Sequence, residues 1–552
     1  MSPDNKNPPL LEINDLHIQL PGGADRTYAV EGLSLSVNRD EILCLVGESG
    51  SGKSMTAKAV LGLLPPRVDI AMGQINFKGE DVTKVTPRRL RQIRGSEISM
   101  VFQEPMTALN PLMTVGRQIE ELIVAHAKLS AKERRTRILE LIESVHLPNP
   151  ERIIDSYPHE LSGGQRQRAM IAMALILEPE MLIADEPTTA LDVTTQAQIL
   201  KLIKELQAKH RTGVLYITHD FGVVADIADR IAVMQHGKLV EIGTADEILN
   251  TPRHPYTRSL IAAVPGMEPV TVRPVLTEEK VLQISGLGKT FHARTKLLGP
   301  KSSKNDVRAV HDISLDLRKG ETLGIVGESG SGKSTLARLI TRVIQPDAGS
   351  VLYNGIDLLS LSRKEMRPYR KHIQMIFQDP YGSLNPRYKV GRLIAEGAMV
   401  HGMSRDAAFT RAREMLALVN LEPSAMDRYP HEFSGGQRQR IGIARALILE
   451  PSVIVADEPV SALDVSVQAQ VLDLLTEIRE RLSLSMIFIT HDLRVAAQLC
   501  DTVVVMSKGE VVEYGTAKDV FFEPQHPYTM YLLESVPGKA WKVPDLGQPN
   551  HP

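Results

Sequence analysis

The chain has 552 residues, of which 43% are apolar and 24% charged, an ordinary globular composition that excludes disorder as its main state. Its net charge of −2 at pH 7 lacks the strongly positive field typical of nucleic-acid binders. Two cysteines exclude a disulfide framework and an all-cysteine metal site. No basic-then-apolar signal opens the sequence, and no apolar run approaches the roughly 18 residues that span a bilayer. We therefore expect a protein of a reducing cytosol.

The first half of the sequence alternates strand and helix patterns. Apolar runs of the buried-strand type are Ile42–Val46, Ile98–Phe102, Met181–Ala184 and Val214–Thr218. Helical spacing follows the first run over Lys53–Leu64, and it recurs over Ser130–Val145, which opens with the residues of a capping box. Alternation of this kind predicts an α/β core with a parallel sheet, and residues 104–175 read as a helical insertion.

The second half repeats the motifs of the first in the same order. The repeated strings begin with GESGSGKS at Gly47–Ser54 and Gly327–Ser334, and end with ITHD at Ile217–Asp220 and Ile489–Asp492 and HPYT at His254–Thr257 and His526–Thr529. A repeat this long indicates a duplicated domain and not a solenoid. We predict a first domain over 1–270, a polar linker over 271–280 and a second domain over 281–552. The basic, aperiodic stretch 292–306 predicts an exposed loop.

The string GESGSGKS matches the P-loop pattern in both halves. Its glycines let backbone N–H groups close around phosphates, at the positive N-terminus of the helix that follows. The lysine adds a charge, and the last serine offers its hydroxyl to Mg²⁺. The predicted nucleotide-contacting residues are Gly47, Glu48, Ser49, Gly50, Ser51, Gly52, Lys53, Ser54 and Met55, and their counterparts Gly327, Glu328, Ser329, Gly330, Ser331, Gly332, Lys333, Ser334 and Thr335.

An Asp-Glu pair ends a buried-type strand in each half. Asp185 and Asp457 stand where a carboxylate beside a P-loop can hold the Mg²⁺ shell. The next residue, Glu186 or Glu458, is placed to orient the attacking water or accept its proton. The order of the motifs favours this interpretation over a surface acidic pair.

A third motif decides the family. It reads Ser162-Gly163-Gly164-Gln165 in the first half and Ser434-Gly435-Gly436-Gln437 in the second, each before a helix. With this motif the ordered set resembles the ATP-binding-cassette (ABC) family over nearly the whole chain. The resemblance implies two tandem ABC nucleotide-binding domains, each with a P-loop parallel-sheet core, an antiparallel β part and an inserted helical subdomain. It also implies that the signature loop of one cassette covers the ATP held by the other.

The resemblance assigns further residues one by one. Gln103 and Gln378 match the glutamine that touches Mg²⁺ and the water, Asp192 and Asp464 match the D-loop, and His219 and His491 match the switch histidine at the γ-phosphate. Tyr28 matches the aromatic residue that stacks on adenine, whereas the second half has Arg308 there, whose guanidinium plane can also stack. The expected Mg²⁺ set is Ser54, Gln103, Asp185, Ser334, Gln378 and Asp457.

The sequence resembles the two fused ATPases of bacterial dipeptide/oligopeptide importers. RAMIAMALILEP and RIGIARALILEP after the two signatures resemble their two subunit types, and HPYT resembles their C-terminal extension, for which the sequence suggests no catalytic role. Such ATPases work with two transmembrane permeases and an extracytoplasmic binding protein, at the cytoplasmic face of the inner membrane, and without nucleic acid. The cysteine-ligated cluster of some relatives is excluded here. A soluble tandem cassette acting on ribosomes or nucleic acid is the alternative, an exporter ATPase is a third, and the transported solute stays open.

Overall fold

The computed structural model describes residues 8–188, 191–268, 278–292, 306–461 and 463–544. The chain divides into two compact units, the first made of Met1–Val264 with Pro537–Pro552 and the second of Pro265–Val536. Residues 271–277 of the predicted linker and 293–305 of the predicted loop lie outside the described residues. The domain limits given by the repeats stay predictions.

The first unit contains two sheets and a set of helices. Its strands are β1 Leu11–Gln19, β2 Tyr28–Val37, β3 Ile42–Val46, β4 Asp69–Phe77, β5 Glu80–Asp81, β6 Ile98–Val101, β7 Met181–Asp185, β8 Gly213–Ile217, β9 Arg230–Gln235 and β10 Lys238–Thr244. Its helices are α1 Lys53–Val60, α2 Pro87–Ile93, α3 Pro105–Ala108, α4 Val115–His126, α5 Ala131–Ser144, α6 Pro150–Asp155, α7 Gly163–Leu175, α8 Val193–His210, α9 Phe221–Ile227, α10 Ala245–Asn250 and α11 Pro255–Ala262.

The two sheets of this unit share one core. The antiparallel sheet has the order β2-β1-β4-β5, and the larger sheet has the order β10-β9-β3-β8-β7-β6. All strands of the larger sheet are parallel except β10, and β3, β7 and β8 are buried along their whole length. Because β3, β7 and β8 are neighbours and parallel, the loops at their carboxyl ends lie along one edge of the sheet.

The predicted strands and the helical insertion are confirmed. Helix α5 begins with Ser130 as N-cap, and the reciprocal hydrogen bonds between Ser130 and Glu133 form the expected capping box. The predicted helix over Lys53–Leu64 is too long, since α1 ends at Val60. Gly62 takes a left-handed φ of 59° there, a conformation that ends helices.

The second unit repeats the architecture. Its strands are β11 Lys280–Phe291, β12 Val307–Arg318, β13 Thr322–Val326, β14 Ala348–Tyr353, β15 Ile356–Asp357, β16 Ile373–Ile376, β17 Val453–Asp457, β18 Ser485–Ile489, β19 Thr502–Ser507 and β20 Glu510–Thr516. Its helices are α12 Lys333–Ile340, α13 Arg363–Met366, α14 Pro380–Ser383, α15 Val390–Val400, α16 Arg405–Leu418, α17 Gly435–Leu447, α18 Val465–Leu482, α19 Leu493–Leu499, α20 Ala517–Phe522 and α21 Pro527–Glu534. The sheet orders are β12-β11-β14-β15 and β16-β17-β18-β13-β19-β20.

The C-terminal segment belongs to the first unit. The backbone N–H of Gly538 donates to the carboxylate of Asp226 at 2.9 Å, and the indole N–H of Trp541 donates to the side chain of Asn250 at 3.3 Å. A Cβ atom on Gly222 would lie 2.6 Å from the carbonyl oxygen of Pro537. Helix α9, two residues after His219, is therefore packed directly against this segment.

Candidate active site

Each P-loop connects a buried strand to the first turn of a helix. The loop after β3 depends on glycine, because a Cβ on Gly47 would lie 2.2 Å from the carbonyl oxygen of Met234, and one on Gly52 would lie 2.6 Å from that of Ala29. Lys53 is buried, and its ammonium donates to the carbonyl oxygens of Gly47 at 2.7 Å and Glu48 at 2.8 Å. The loop thus surrounds the lysine charge with backbone dipoles, and phosphate oxygens are the natural replacement for those carbonyls.

The hydroxyl of Ser54 and the carboxylate of Asp185, two of the three predicted Mg²⁺ ligands of the first unit, lie together, whereas the third, Gln103, bonds to Glu186. The hydroxyl donates to the carboxylate at 2.9 Å, and the Ser334–Asp457 pair of the second unit has the same distance. Burial raises the pKa of Asp185, the hydrogen bond from Ser54 lowers it, and the net pKa lies above the usual range; the same holds for Asp457 with Ser334. A divalent cation would offset this desolvation of the carboxylate, and hydroxyl and carboxylate oxygens are ligands that Mg²⁺ prefers. The residues therefore fit Mg²⁺.

Glu186 lies between the two other predicted catalytic side chains. The amide of Gln103 donates to its carboxylate at 2.8 Å, and the Nδ1 atom of His219 lies 3.2 Å from its other oxygen. Glu186 has a φ of 47°, which is strained for a residue with a side chain. This turn directs the chain away from the line of β7. The carboxylate then meets Gln103, which follows β6, and His219, which follows β8, the strands on either side of β7.

The second unit brings the same three residue types together around Glu458, except that Gln378 and His491 both meet the same carboxylate oxygen, Oε2. Gln378 donates to its carboxylate at 2.8 Å, His491 lies 3.1 Å away, and the φ of Glu458 is 46°. Burial acts to raise the pKa of Glu458, but the hydrogen bond from His491 and the positive charges of His491 and Lys333 outweigh it, so the pKa is lowered. For His491, burial acts to lower the pKa, and the bond to Glu458 outweighs it, so the pKa is raised. The two side chains thus stabilise each other's charged forms.

The signature serines cap the helices that follow them. Ser162 and Gln165 exchange hydrogen bonds of 3.0 and 3.3 Å at the start of α7, and Ser434 and Gln437 do so at the start of α17, at 3.1 and 3.3 Å. Sequence reasoning had not anticipated this role of the glutamines, although a serine followed three residues later by glutamine is the signal for it. These caps fix the direction of each helix N-terminus.

The remaining predicted residues lie near strand and helix starts. Asp192 caps α8 by accepting from the backbone N–H of Thr195 at 2.9 Å, and Asp464 is the N-cap residue of α18. Tyr28 begins β2 and packs edge-on against His17, with ring centroids 5.5 Å apart. Arg308 is exposed on β12. The residue after each of them lies against the P-loop, because a Cβ atom on Gly52 would lie 2.6 Å from the carbonyl oxygen of Ala29 and one on Gly332 would lie 2.1 Å from that of Ala309.

Three P-loop contacts of two kinds were not predicted from the sequence. The guanidinium of Arg26 donates to the carbonyl oxygen of Gly50. The hydroxyl of Tyr256, in the HPYT motif, accepts from the backbone N–H of Glu48 at 3.2 Å, and Tyr528 does the same for Glu328 at 3.2 Å. The only sequence signal was the recurrence of HPYT after each complete motif set.

Metal clusters and membrane spans are not found in the described part of the chain. Within it, no group of three or more His, Cys, Asp or Glu side chains could hold a metal ion. None of the helices in residues 8–188, 191–268, 278–292, 306–461 and 463–544 is long and apolar enough to cross a membrane.

Comparison with known families agrees with this geometry. The model of the ABC transporter family matches residues 30–189 and 310–461, which is more than half of the chain and includes both P-loops. The chain belongs to the ABC transporter family. The model "Oligopeptide/dipeptide transporter, C-terminal region" matches residues 240–299 and 512–546, so each cassette is followed by such a region. The chain is therefore an ATP-binding ABC ATPase with two cassettes, as the sequence predicted.

Full-length relatives have the same double architecture. The peptidoglycan transport ATP-binding protein YejF of Agrobacterium fabrum is 48% identical over 95% of this chain and 96% of its own length. The glutathione import ATP-binding protein GsiA of Escherichia coli is 45% identical over 96% of this chain and 89% of its own length. A solved structure, the dimeric bacterial ABC transporter cassette MJ0796, is 28% identical and covers 43% of this chain and 98% of its own, with a TM-score of 0.39. Neither of the two full-length relatives supports the ribosome-acting alternative.

Proposed function

We propose that the chain is the energy-coupling ATPase of a bacterial importer for peptides or related small solutes. The observation that carries this proposal is the presence of two complete Glu–Gln–His sites, each in a cassette followed by an oligopeptide/dipeptide transporter region. The transport names of the relatives support the same class of cargo: peptidoglycan in one case and glutathione in another. The solute itself is recognised by other chains of the importer.

In this proposal both cassettes hydrolyse ATP with the same division of labour. Lys53 leaves its carbonyl partners to bind phosphate. Ser54 and Asp185 would hold Mg²⁺, which when bound would supply neutralisation of the charge on the transferred phosphoryl group. Glu186 orients the attacking water and accepts its proton, and Gln103 and His219 hold the Glu186 carboxylate in place. The left-handed backbone of Glu186 supports this role, since such strain persists where the surroundings enforce a functional geometry.

We further propose that each site is completed by the signature residues of the other cassette. Ser434, Gly436 and Asp464 would close the first site, and Ser162, Gly164 and Asp192 the second. The resemblance to the family suggests this exchange, and the fixed helix N-termini behind both signatures suit a phosphate. ATP then favours closure because it binds the closed form more tightly.

The partners in this proposal are two permeases and, through them, an extracytoplasmic binding protein, with the chain at the periphery of the inner membrane. A groove of about 640 Å³ in the second unit supports a docking site for a permease segment. Phe377, directly before Gln378, lines it together with Leu393, Glu396 and the half-buried Arg445. A segment seated there would contact the strand end that carries the catalytic glutamine, which gives a route from cargo binding to hydrolysis.

The decisive experiment compares Glu186→Gln and Glu458→Gln in the complete importer. Each exchange keeps the size of the side chain and removes its charge, so ATP should still bind while hydrolysis and uptake of labelled peptide both fall severely. A matched control is Glu205→Gln, which changes an exposed glutamate of α8 in the same unit that pairs with Lys201 at 3.8 Å, outside both the Gln–His pair and the HPYT contacts. Uptake and hydrolysis at wild-type rates in Glu458→Gln would show that the second site only binds nucleotide, and the two-site proposal would be wrong.

A further inference from the structure

The HPYT motif builds the start of one helix in each unit. In the first unit, the carboxylate of Glu241 accepts from the backbone N–H groups of Arg253 at 2.7 Å and His254 at 3.1 Å. The Nδ1 atom of His254 then accepts from the N–H of Tyr256 at 3.2 Å, and Pro255 occupies the first helical position, where no N–H is needed. The histidine and proline of the motif therefore fix the position of the tyrosine.

The second unit repeats this construction contact by contact. Glu513 accepts from the N–H groups of Gln525 at 2.7 Å and His526 at 3.2 Å, and His526 accepts from the N–H of Tyr528 at 3.1 Å. The threonine of each motif, Thr257 or Thr529, is buried. Two copies that have diverged elsewhere thus keep the same three backbone hydrogen bonds before the tyrosine.

The tyrosine hydroxyl meets the first peptide group of the P-loop, and Tyr528 also has side-chain hydrogen bonds with Glu328 and Ser507. The N–H of Glu48 donates to the hydroxyl of Tyr256 at 3.2 Å, while the carbonyl of the same peptide group, that of Gly47, accepts from the ammonium of Lys53 at 2.7 Å. In the second unit the corresponding distances are 3.2 Å to Tyr528 and 2.8 Å from Lys333. Each peptide plane is thus held at both ends, by the extension on one side and by the P-loop lysine on the other.

We propose that Tyr256 and Tyr528 are positioning residues that fix the orientation of the first peptide group of each P-loop, and through it the starting position of the lysine that binds phosphate. The inference rests on the proposed ATP sites and gives the HPYT extensions a role within them. Without the hydroxyl, the N–H of Glu48 or Glu328 loses its acceptor, and the peptide plane is free to rotate with its lysine. The loop must then be ordered by the nucleotide, which weakens binding and leaves the hydrolysis step unchanged.

The tyrosines are suited to accept this bond at neutral pH. Burial raises the pKa of Tyr528 to about 12, so the phenol stays neutral. A neutral phenol oxygen accepts one N–H and still has its own proton to donate. The loss of a single hydrogen bond of this kind corresponds to a roughly three- to tenfold change in an equilibrium constant.

The test uses the full-length protein with Tyr256→Phe, Tyr528→Phe and the double variant, which keep the ring and remove one oxygen. The matched control is Tyr531→Phe, the same change on an exposed residue of α21. The dissociation constant of a non-hydrolysable ATP analogue and the hydrogen exchange of the Glu48 and Glu328 amides are measured together with KM and kcat. We expect a three- to tenfold rise in the dissociation constant and in KM, an unchanged kcat, and faster exchange at the amide next to the altered tyrosine.

Two results would overturn the inference. Wild-type affinity and amide exchange in the double variant would mean that the bond has no influence on the loop, and a lower melting temperature with unchanged affinity would mean that the tyrosines only pack the extension. Because analogue binding does not require turnover, the inference can be judged even if the protein fails to hydrolyse ATP. That failure would count against the proposed function alone.

Discussion

The sharpest stability prediction concerns Gly324, in the middle of β13. A Cβ atom there would lie 2.6 Å from the sulfur of Cys500 and 3.1 Å from its Cβ atom, so the glycine is required for space. The motif offsets align Gly324 with Cys44 of β3 and Cys500 with Ala228. The two cassettes therefore carry their cysteine at different positions. It lies in the central strand β3 in the first unit and directly after α19 in the second.

Three variants test whether Gly324 and Cys500 compete for the same space. Gly324→Ala should cost about 1–3 kcal/mol, the usual cost of overpacking a core, because Cys500 is 8% exposed and its Cβ atom belongs to the backbone frame. Cys500→Ala alone should cost about 0.5–1.5 kcal/mol, comparable to the loss of one buried methyl-sized group. In the double variant the new Cβ atom fills the space that the sulfur leaves, so we expect a favourable coupling of about 1–2 kcal/mol.

The assay is urea denaturation, monitored by hydrogen exchange at the backbone amides of Thr322–Val326. This local reading is needed because the two cassettes can unfold separately, and a single global free energy of unfolding is then poorly defined. Gly442→Ala is the matched control: a Cβ on this glycine of α17 meets nothing within 4 Å, so the exchange should stabilise the helix by about 0.5–1 kcal/mol. If the double variant lost the full sum of the two single losses, Gly324 and Cys500 would not compete for the same space and the argument would be wrong.

Two further predictions concern the switch regions. Gly222→Ala should displace the segment that begins at Pro537, because the new Cβ atom would lie 2.6 Å from the carbonyl oxygen of Pro537. The fluorescence emission of Trp541, the single tryptophan, should then shift to the red. An unchanged spectrum would contradict the packing. The Glu458–His491 pair should stabilise the second unit most at pH values above the lowered pKa of Glu458 and below the raised pKa of His491, where both side chains are charged. This stabilisation is lost as pH falls through the carboxyl pKa of Glu458 and as pH rises through the imidazole pKa of His491. Glu458→Gln should therefore lower the melting temperature more at about pH 6 than at about pH 9. Equal shifts at both pH values would refute the coupling.

Sequence reasoning succeeded where a local pattern has one structural solution. Buried strands such as Ile42–Val46 read as continuous apolar runs because a parallel sheet covers both of their faces. The P-loops and the capping box at Ser130 have fixed spacing, so their elements and first residues could be predicted. The end of α1 could not, because the left-handed turn at Gly62 competes with a helical pattern that runs further.

Contacts between distant segments were beyond local reasoning. The hydroxyl of Tyr256 meets the N–H of Glu48 across 208 residues of sequence, and no periodicity encodes that distance. The left-handed φ of Glu186 was equally hidden, since glutamate has no preference for it and the surrounding bonds impose it. The sequence does show that HPYT follows each complete motif set. We expect a motif that is repeated with its cassette to contribute to the function of that cassette.

The two units differ in their supporting structure and agree in their chemistry. The bonds among glutamate, glutamine and histidine differ by at most 0.1 Å between the units, and so do the bonds from the P-loop lysine to the first loop carbonyl. By contrast, the sulfur of the central sheet has changed its origin, and Gly222 of the first unit corresponds to Arg494, which donates to the carbonyl of Pro265 in the second. Packing can be conserved by compensating exchanges, whereas the position of a water-orienting carboxylate cannot. This contrast supports the proposal that both sites turn over, because a site that only bound nucleotide would have no need to keep its glutamate, glutamine and histidine together.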